Sequence, residues 1–234
     1  MISIIVPVLN EADGIVEFLA HITDNATSSK ISELIIVDGG SSDGTPRLVN
    51  EYASTSRLEI KLIDSEKGRA RQMNKGAQIA RGGVLYFLHA DSFPPKGYDT
   101  AILAETQNGN PAGCFRMRFD RPHPVLKISQ WFTRFNFKFC RGGDQSLFVT
   151  KEIFDTLNGY DESYTIYEDC ELINRIYDHY SFVVINNVVT TSARKYIKNG
   201  TVKLQYHFTV IHLKKIMGAS PENLSNYYHR NISS

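Results

Sequence analysis

Within the first 91 positions of this 234-residue chain, three apolar, β-branched runs end abruptly in polar or acidic residues: SIIVPVLNE (3–11), LIIVDGGSSDGT (34–45) and VLYFLHAD (84–91). Runs of that kind are strands buried on both faces. Paired side by side, they bring Asn10, Glu11, Asp38, Asp43 and Asp91 to one edge of a sheet. In open α/β sheets, ligands bind outside the carboxyl ends of the strands. Carboxylates gathered there need a positive partner, and a divalent cation carrying a phosphorylated ligand supplies it.

The segments between the runs have helical spacing. Ile15, Phe18, Leu19 and Ile22 form one stripe. Thr45-Pro46 reads as an N-cap followed by proline in the first turn, with Leu48, Val49 and Tyr52 behind it. After a strand at 60–63, Gly68 opens a third helix with Ala70, Met73, Ala77 and Ala80 on its inner face. The order βαβαβαβ predicts a mostly parallel sheet with helices on both faces.

Beyond Pro94-Pro95 the pattern predicts a helix at 97–108 and strands at 113–119 and 146–150. A short helix capped by Thr150, a helix from about Glu168 and a strand at 182–189 follow. An amphipathic segment at 201–217 and a helix from Pro221 close the chain. With no repeat and no long linker, the expected organisation is a single domain over 1–234. Within it the pattern divides into a half at 1–95, a half at 96–200 and a helical extension at 201–234.

Composition narrows the classes. A net charge of +1 leaves no footprint for nucleic acid, although basic residues are interleaved with aromatics in KISQWFTRFNFKFCRGG (127–143) and recur from Arg194 to Lys215. Those charges read either as a solvated face or as contact with an anionic substrate or lipid headgroup. Three scattered cysteines without a CxxC indicate neither a disulfide framework nor a zinc site. No apolar run approaches the roughly 18 residues of a membrane span, and Met1 leads directly into a core strand without a signal peptide. The expected location is the cytoplasm, with peripheral contact to the membrane.

The loop Gly39-Gly40-Ser41-Ser42-Asp43-Gly44 places serine at the second glycine of a G-x-G-x-x-G fingerprint, where close backbone approach to a pyrophosphate is needed. It lacks the Lys-Ser/Thr ending of a P-loop and the G-x-S-x-G of a hydrolase elbow. On its own it reads as an ordinary turn between a strand and a helix.

Six ordered segments give it a context: VPVLNEA (6–12), IIVDGGSSDGT (35–45), GRARQMNKGAQIARGG (68–83), FLHADSFPP (87–95), GGDQSLFV (142–149) and YEDCELINRI (167–176). Together they resemble the family 2 glycosyltransferases of the GT-A fold, and in particular a subgroup of small soluble bacterial members with GRARQMN and HAD segments. The resemblance runs from about residue 2 to residue 200.

It implies a nucleotide-diphosphate sugar of the UDP or GDP type as donor, held at Pro7, Asn10, Glu11, Asp38, Gly39 and Ser41, with Arg69 on the phosphates. Asp38 is similar to the aspartate that accepts a hydrogen bond from the base; read alone, it is a turn residue. His89-Ala90-Asp91 stands in place of the DxD triplet that holds Mn²⁺ or Mg²⁺. With His89 replacing the first aspartate, Asp91 is the expected metal ligand. Glu168-Asp169 resembles the ED motif of inverting members, with Asp169 as the base and Glu168 orienting it; both acids also suit a helix N-terminus. Asp144, Gln145 and Arg194 are implied on the acceptor side. Where relatives end in Arg-Arg-Trp, this chain has Arg194-Lys195-Tyr196.

Two other readings remain open at this level: a nucleotidyltransferase acting on sugar phosphates, and a catalytically silent nucleotide-sugar binding module. The acceptor is unspecified. The aromatic-basic stretch fits a lipid-linked one, a core contact or a homodimer contact.

Overall fold

The computed structural model describes residues 1–27 and 29–232, so the last two residues of the expected C-terminal extension lie outside it. Strands β1 (Ile2–Val8), β2 (Ile31–Asp38), β3 (Ile60–Asp64) and β4 (Val84–Phe87) pair in parallel in the order β3-β2-β1-β4. The sheet continues through β7 (Leu147–Thr150), β6 (Ala112–Phe119), β8 (Phe182–Thr191) and β5 (Ser92–Phe93) to eight strands. Here it is mixed: β7 runs antiparallel to both β4 and β6, and β5 antiparallel to β8. Parallel pairing runs through the first half and recurs between β6 and β8, so the expected mostly parallel sheet holds, with β7 and β5 as its antiparallel strands.

Both faces are covered. Alternate residues of β1 and β2, including Ile4, Val6, Leu34 and Ile36, join a core with α1 (Ile15–Asn25), α2 (Thr45–Ala53) and α4 (Tyr98–Gln107). The intervening Ile5, Ile35 and Val37 join a second core with α3 (Arg69–Ile79), α6 (Lys151–Thr156) and α7 (Glu168–His179). This two-sided burial explains why the strands read as unbroken apolar runs. Gly76 lets α3 sit directly on β1, since a Cβ there would lie 2.6 Å from Ile5 Cγ2.

The first core extends to α5 (Pro124–Phe132), α8 (Arg194–Asn199), α9 (Thr201–Ile216) and α10 (Pro221–Asn231) through Leu126, Tyr196, Leu204 and Leu224. The basic aromatic stretch is thus a helix followed by a short 3-10 turn at 138–140.

Two helix starts depart from expectation. Gly44, in the left-handed region, is the N-cap of α2, and Thr45 is its first helical residue. The Thr45 hydroxyl donates to Asp43 Oδ1 and accepts from the Glu11 amide, which binds two loops together. Thr150 holds the N-cap position of α6 without a side-chain hydrogen bond. Helix α9 is apolar on two sides: Leu204 and Ile211 face the core while Val202, Tyr206, Leu213 and Ile216 are exposed.

Candidate active site

The loops after β1 and β2 lock together at the carboxyl edge. The Asn10 amide donates to Ser41 Oγ at 2.8 Å, the Ser42 amide to Asn10 Oδ1 at 2.8 Å and the Ala12 amide to Asp43 Oδ2 at 2.9 Å. Gln72 Nε2, buried under the edge, satisfies the terminal carbonyls of Val8 and Val37. Gly39 leaves room for it, because a Cβ there would meet the Gln72 amide at 3.0 Å. Pro7 is buried within β1 opposite Val37, beyond the stretch where β4 pairs. There its missing N–H costs no ladder bond on the β4 side.

Asp38 is 3 % exposed, and its carboxylate accepts from the Gly40 amide, the Ser41 amide and the Ser41 hydroxyl. The carboxylate thus fills its turn role, whatever else it does. Asp43, expected among the ligand-facing acids, is likewise spent on the loops: its oxygens accept from Ala12, from the Thr45 amide and from the Thr45 hydroxyl.

Glu11 faces Arg194 across the opening, with Arg194 Nη2 3.0 Å from Glu11 Oε2. A cavity of about 610 Å³ opens beside this pair, and Asp91, Phe93, His21 and Arg118 also line it.

A second group lies deeper. Glu168 and Asp169 occupy the first turn of α7, where the positive helix end favours carboxylates. His89 Nε2 reaches Asp169 Oδ2 at 3.4 Å, and Arg69 Nη1 reaches Glu168 Oε1 at 3.6 Å. Arg69, half exposed, lies in the field of Glu168, Asp169, Asp144 and Asp91, whose charges outweigh desolvation and favour its protonated guanidinium. Asp91 belongs to both groups, lining the cavity and facing Arg69 and Asp144.

The environment drives the neighbouring acids apart. Burial, reinforced by the Asp169 charge, pushes Glu168 above the usual carboxylate range. Asp169 is also desolvated, but the His89 contact and the Arg69 charge outweigh that and hold it below its usual value. Burial raises Asp144 as well. At His89, burial and Arg69 disfavour the proton, while Asp169 and Asp144 favour it and prevail.

Several supporting residues carried no signal in the sequence. Tyr160, 2 % exposed, stands beside Asp169, and burial together with the two acids pushes its phenol well above the ordinary value. Tyr160 Oη and Glu168 Oε1 are buried oxygens without a close hydrogen-bond partner among the described residues. Arg141, buried beneath the loop that carries Asp144, donates to Gln145 Oε1 at 2.6 Å and to the Thr133 carbonyl at 2.8 Å. Gln145 in turn donates to the Cys140 carbonyl and is 4 % exposed, so its amide is committed to building this loop.

Backbone strain collects in the same place. The non-glycine residues with left-handed φ are Asn10, Ser146, Asn158 and Tyr167, and all but Asn158 adjoin a predicted site residue. Such residues persist where surrounding structure over-determines them, typically at functional sites.

No cluster of three or more His, Cys, Asp or Glu able to hold a metal by itself occurs among the described residues. His89 is turned toward Asp169, leaving Asp91 as the one carboxylate that the His-Ala-Asp segment offers the cavity, which Glu11, Glu17 and Asp120 also line. That donor set fits a hard cation bound through one or two carboxylates together with the phosphates of its substrate.

The model of glycosyl transferase family 2 matches residues 3–156. The chain belongs to this family. Its fold is the GT-A fold. The glycosyltransferase AglE of Haloferax volcanii is 33 % identical over 94 residues, 40 % of this chain and 31 % of AglE. The probable glycosyltransferase YdaM of Bacillus subtilis is 23 % identical over 197 residues, 76 % of this chain and 46 % of YdaM. The chain thus spans between about a third and a half of these two relatives.

Among solved structures, a mannosyltransferase of Pyrobaculum calidifontis in complex with GDP-Man and Mn²⁺ is 20 % identical with a TM-score of 0.72; the match covers 97 % of this chain and 69 % of that one. TarS 1–349 of S. aureus in complex with UDP is 17 % identical with a TM-score of 0.66, covering 82 % and 60 %.

Proposed function

We propose that this family 2 member is a metal-assisted, inverting transferase that moves a sugar from a UDP- or GDP-linked donor to an acceptor hydroxyl, with Asp169 as the base. The observation that carries the reading is the geometry of two adjacent acids at the start of α7, with His89 Nε2 3.4 Å from Asp169 Oδ2 and Arg69 Nη1 3.6 Å from Glu168 Oε1. Glu168 is pushed toward the protonated form by burial, while His89 and Arg69 keep Asp169 a carboxylate. A neutral hydroxyl is a weak nucleophile and needs such a base.

In this reading Asn10, Glu11, Asp38, Gly39 and Ser41 receive the nucleoside, with Pro7 shaping the pocket from within β1. Arg69 faces the phosphates, and Asp91 holds Mn²⁺ or Mg²⁺. When bound, the cation neutralises charge on the departing diphosphate. Asp169 takes the proton of the acceptor hydroxyl as that oxygen bonds to the anomeric carbon. The bond from carbon to the diphosphate oxygen breaks, and inversion follows from displacement on the opposite side. Asp144 lies on the acceptor side with its loop braced by Gln145, and Arg194 exchanges its Glu11 contact for the incoming ligand. A lipid-linked acceptor fits the exposed aromatic and basic side chains of 127–139.

Thermal melting with UDP or GDP, with and without Mn²⁺, tests the donor side. The nucleotide should raise the melting temperature mainly when Mn²⁺ is present, because a ligand that binds only the native state stabilises it. Asp91→Asn should abolish the Mn²⁺-dependent part. Equal shifts with and without the cation, in both proteins, would remove metal assistance from the proposal. A panel of nucleotide sugars assayed for transfer or slow hydrolysis then tests turnover.

A further inference from the structure

The charge of this chain is segregated. Residues 121–143 and 194–217 hold eleven of its 26 Lys and Arg and none of its 25 Asp and Glu, so the rest of the chain is strongly acidic. The same two segments supply most of the exposed large apolar side chains. On α5, Ile128, Trp131 and Phe132 point outward at helical spacing, and Phe137 and Phe139 follow, stacked on each other and 56 % and 72 % exposed. On α9, Val202, Tyr206, Leu213 and Ile216 form an exposed stripe that ends in Met217, 85 % exposed. Helix α5 packs against α9, which makes the two segments neighbours in the fold.

We propose that the α5–α9 surface docks on an anionic phospholipid bilayer, with the aromatic and aliphatic side chains entering the interface and the lysines and arginines meeting the headgroups. Contiguous exposed apolar surface marks an interaction site. Its charge selects the partner, since a second copy would bring cations against cations, whereas an anionic interface satisfies them. Arg134 over the Trp131 ring is an interfacial pairing in which the aromatic body is buried and the cation stays at headgroup level. The inference deepens the reading of a lipid-linked acceptor but stands on the surface alone.

The test is co-sedimentation of the full chain with phosphatidylcholine vesicles, with and without phosphatidylglycerol, at low and high salt. Binding should require the anionic lipid and weaken with salt. Each of Lys127→Glu and Arg134→Glu should lower the partition coefficient at least about fivefold, the equivalent of about 1 kcal/mol per interfacial cation. Phe139→Ser and Trp131→Ser should lower binding even at low salt. These side chains are exposed, so melting temperature and the UDP or GDP response should stay unchanged, which separates failure of docking from failure of the donor site. Sedimentation velocity closes the remaining route. No binding to phosphatidylglycerol vesicles, or a dimer broken by Leu213→Ser in place of lipid binding, would overturn the proposal.

Discussion

His89 Nε2 stands 3.4 Å from Asp169 Oδ2, which joins the first residue of the His-Ala-Asp segment to the carboxylate at the start of α7. The two residues come from the end of β4 and from a helix 80 positions later in the chain. The imidazole therefore orients Asp169 and keeps it charged. His89→Ala should lower turnover about tenfold, or ~1.4 kcal/mol of barrier, while nucleotide affinity stays near normal. Donor hydrolysis and nucleotide titration measured side by side check this. A loss confined to affinity would place the imidazole in the donor pocket instead.

Asp169→Asn keeps the size of the side chain and removes its capacity to take a proton. Turnover should fall by roughly 10²–10⁴, with donor binding close to wild type. Glu168→Gln should cost less, because burial already drives Glu168 toward its neutral form. A rate for Asp169→Asn near wild type would move the base elsewhere, with Asp144 the next candidate.

Asp38→Ala should act on two observables. Losing an acceptor that receives two amides and a hydroxyl from its own turn should cost about 1–3 kcal/mol of stability. Nucleotide affinity should also fall if the carboxylate reads the base. Urea denaturation and nucleotide titration separate these effects, and normal affinity in a destabilised protein would leave Asp38 a turn residue alone.

Glu33 gives a pH prediction away from the site. It is fully buried, and although burial disfavours its charge, bonds from Ser3, Arg81 and Lys61 hold it below the usual glutamate value. Because the folded value lies below the unfolded one, its contribution is complete above the unfolded pKa of about 4.3. It is lost as pH falls through the folded value. Glu33→Gln should lower stability at neutral pH and flatten the acid limb of a pH series of denaturation curves; an unchanged acid limb would contradict this.

The first half of the fold was readable because strands covered on both faces leave continuous apolar runs, and the chain punctuates each with its site residues. Helix α7 was readable at its first residue, since Glu168 and Asp169 precede a clear apolar stripe. Pairing partners were not. Strand β7 inserts antiparallel between β4 and β6, and four residues of LFVT contain nothing that specifies direction. The contacts that tune the site were equally hidden, because His89, Tyr160 and Arg69 meet the α7 acids only through long-range packing. The outer stripe of α9 escaped notice for a different reason: a helix apolar on two sides reads like an ordinary amphipathic one until the core claims only one of them.

The antiparallel seam between β4 and β7 bears on cooperativity. Val84 to Phe87 pair with Thr150 to Leu147, so the strand ahead of Asp91 is completed by chain that arrives only after the acceptor-side loop. The two halves share one hydrogen-bonded sheet, and neither should melt alone. A fragment ending near residue 95 would leave β4 with a bare apolar edge, the template on which other chains assemble. Shortening this protein to its first half should therefore yield aggregates, not a smaller folded module.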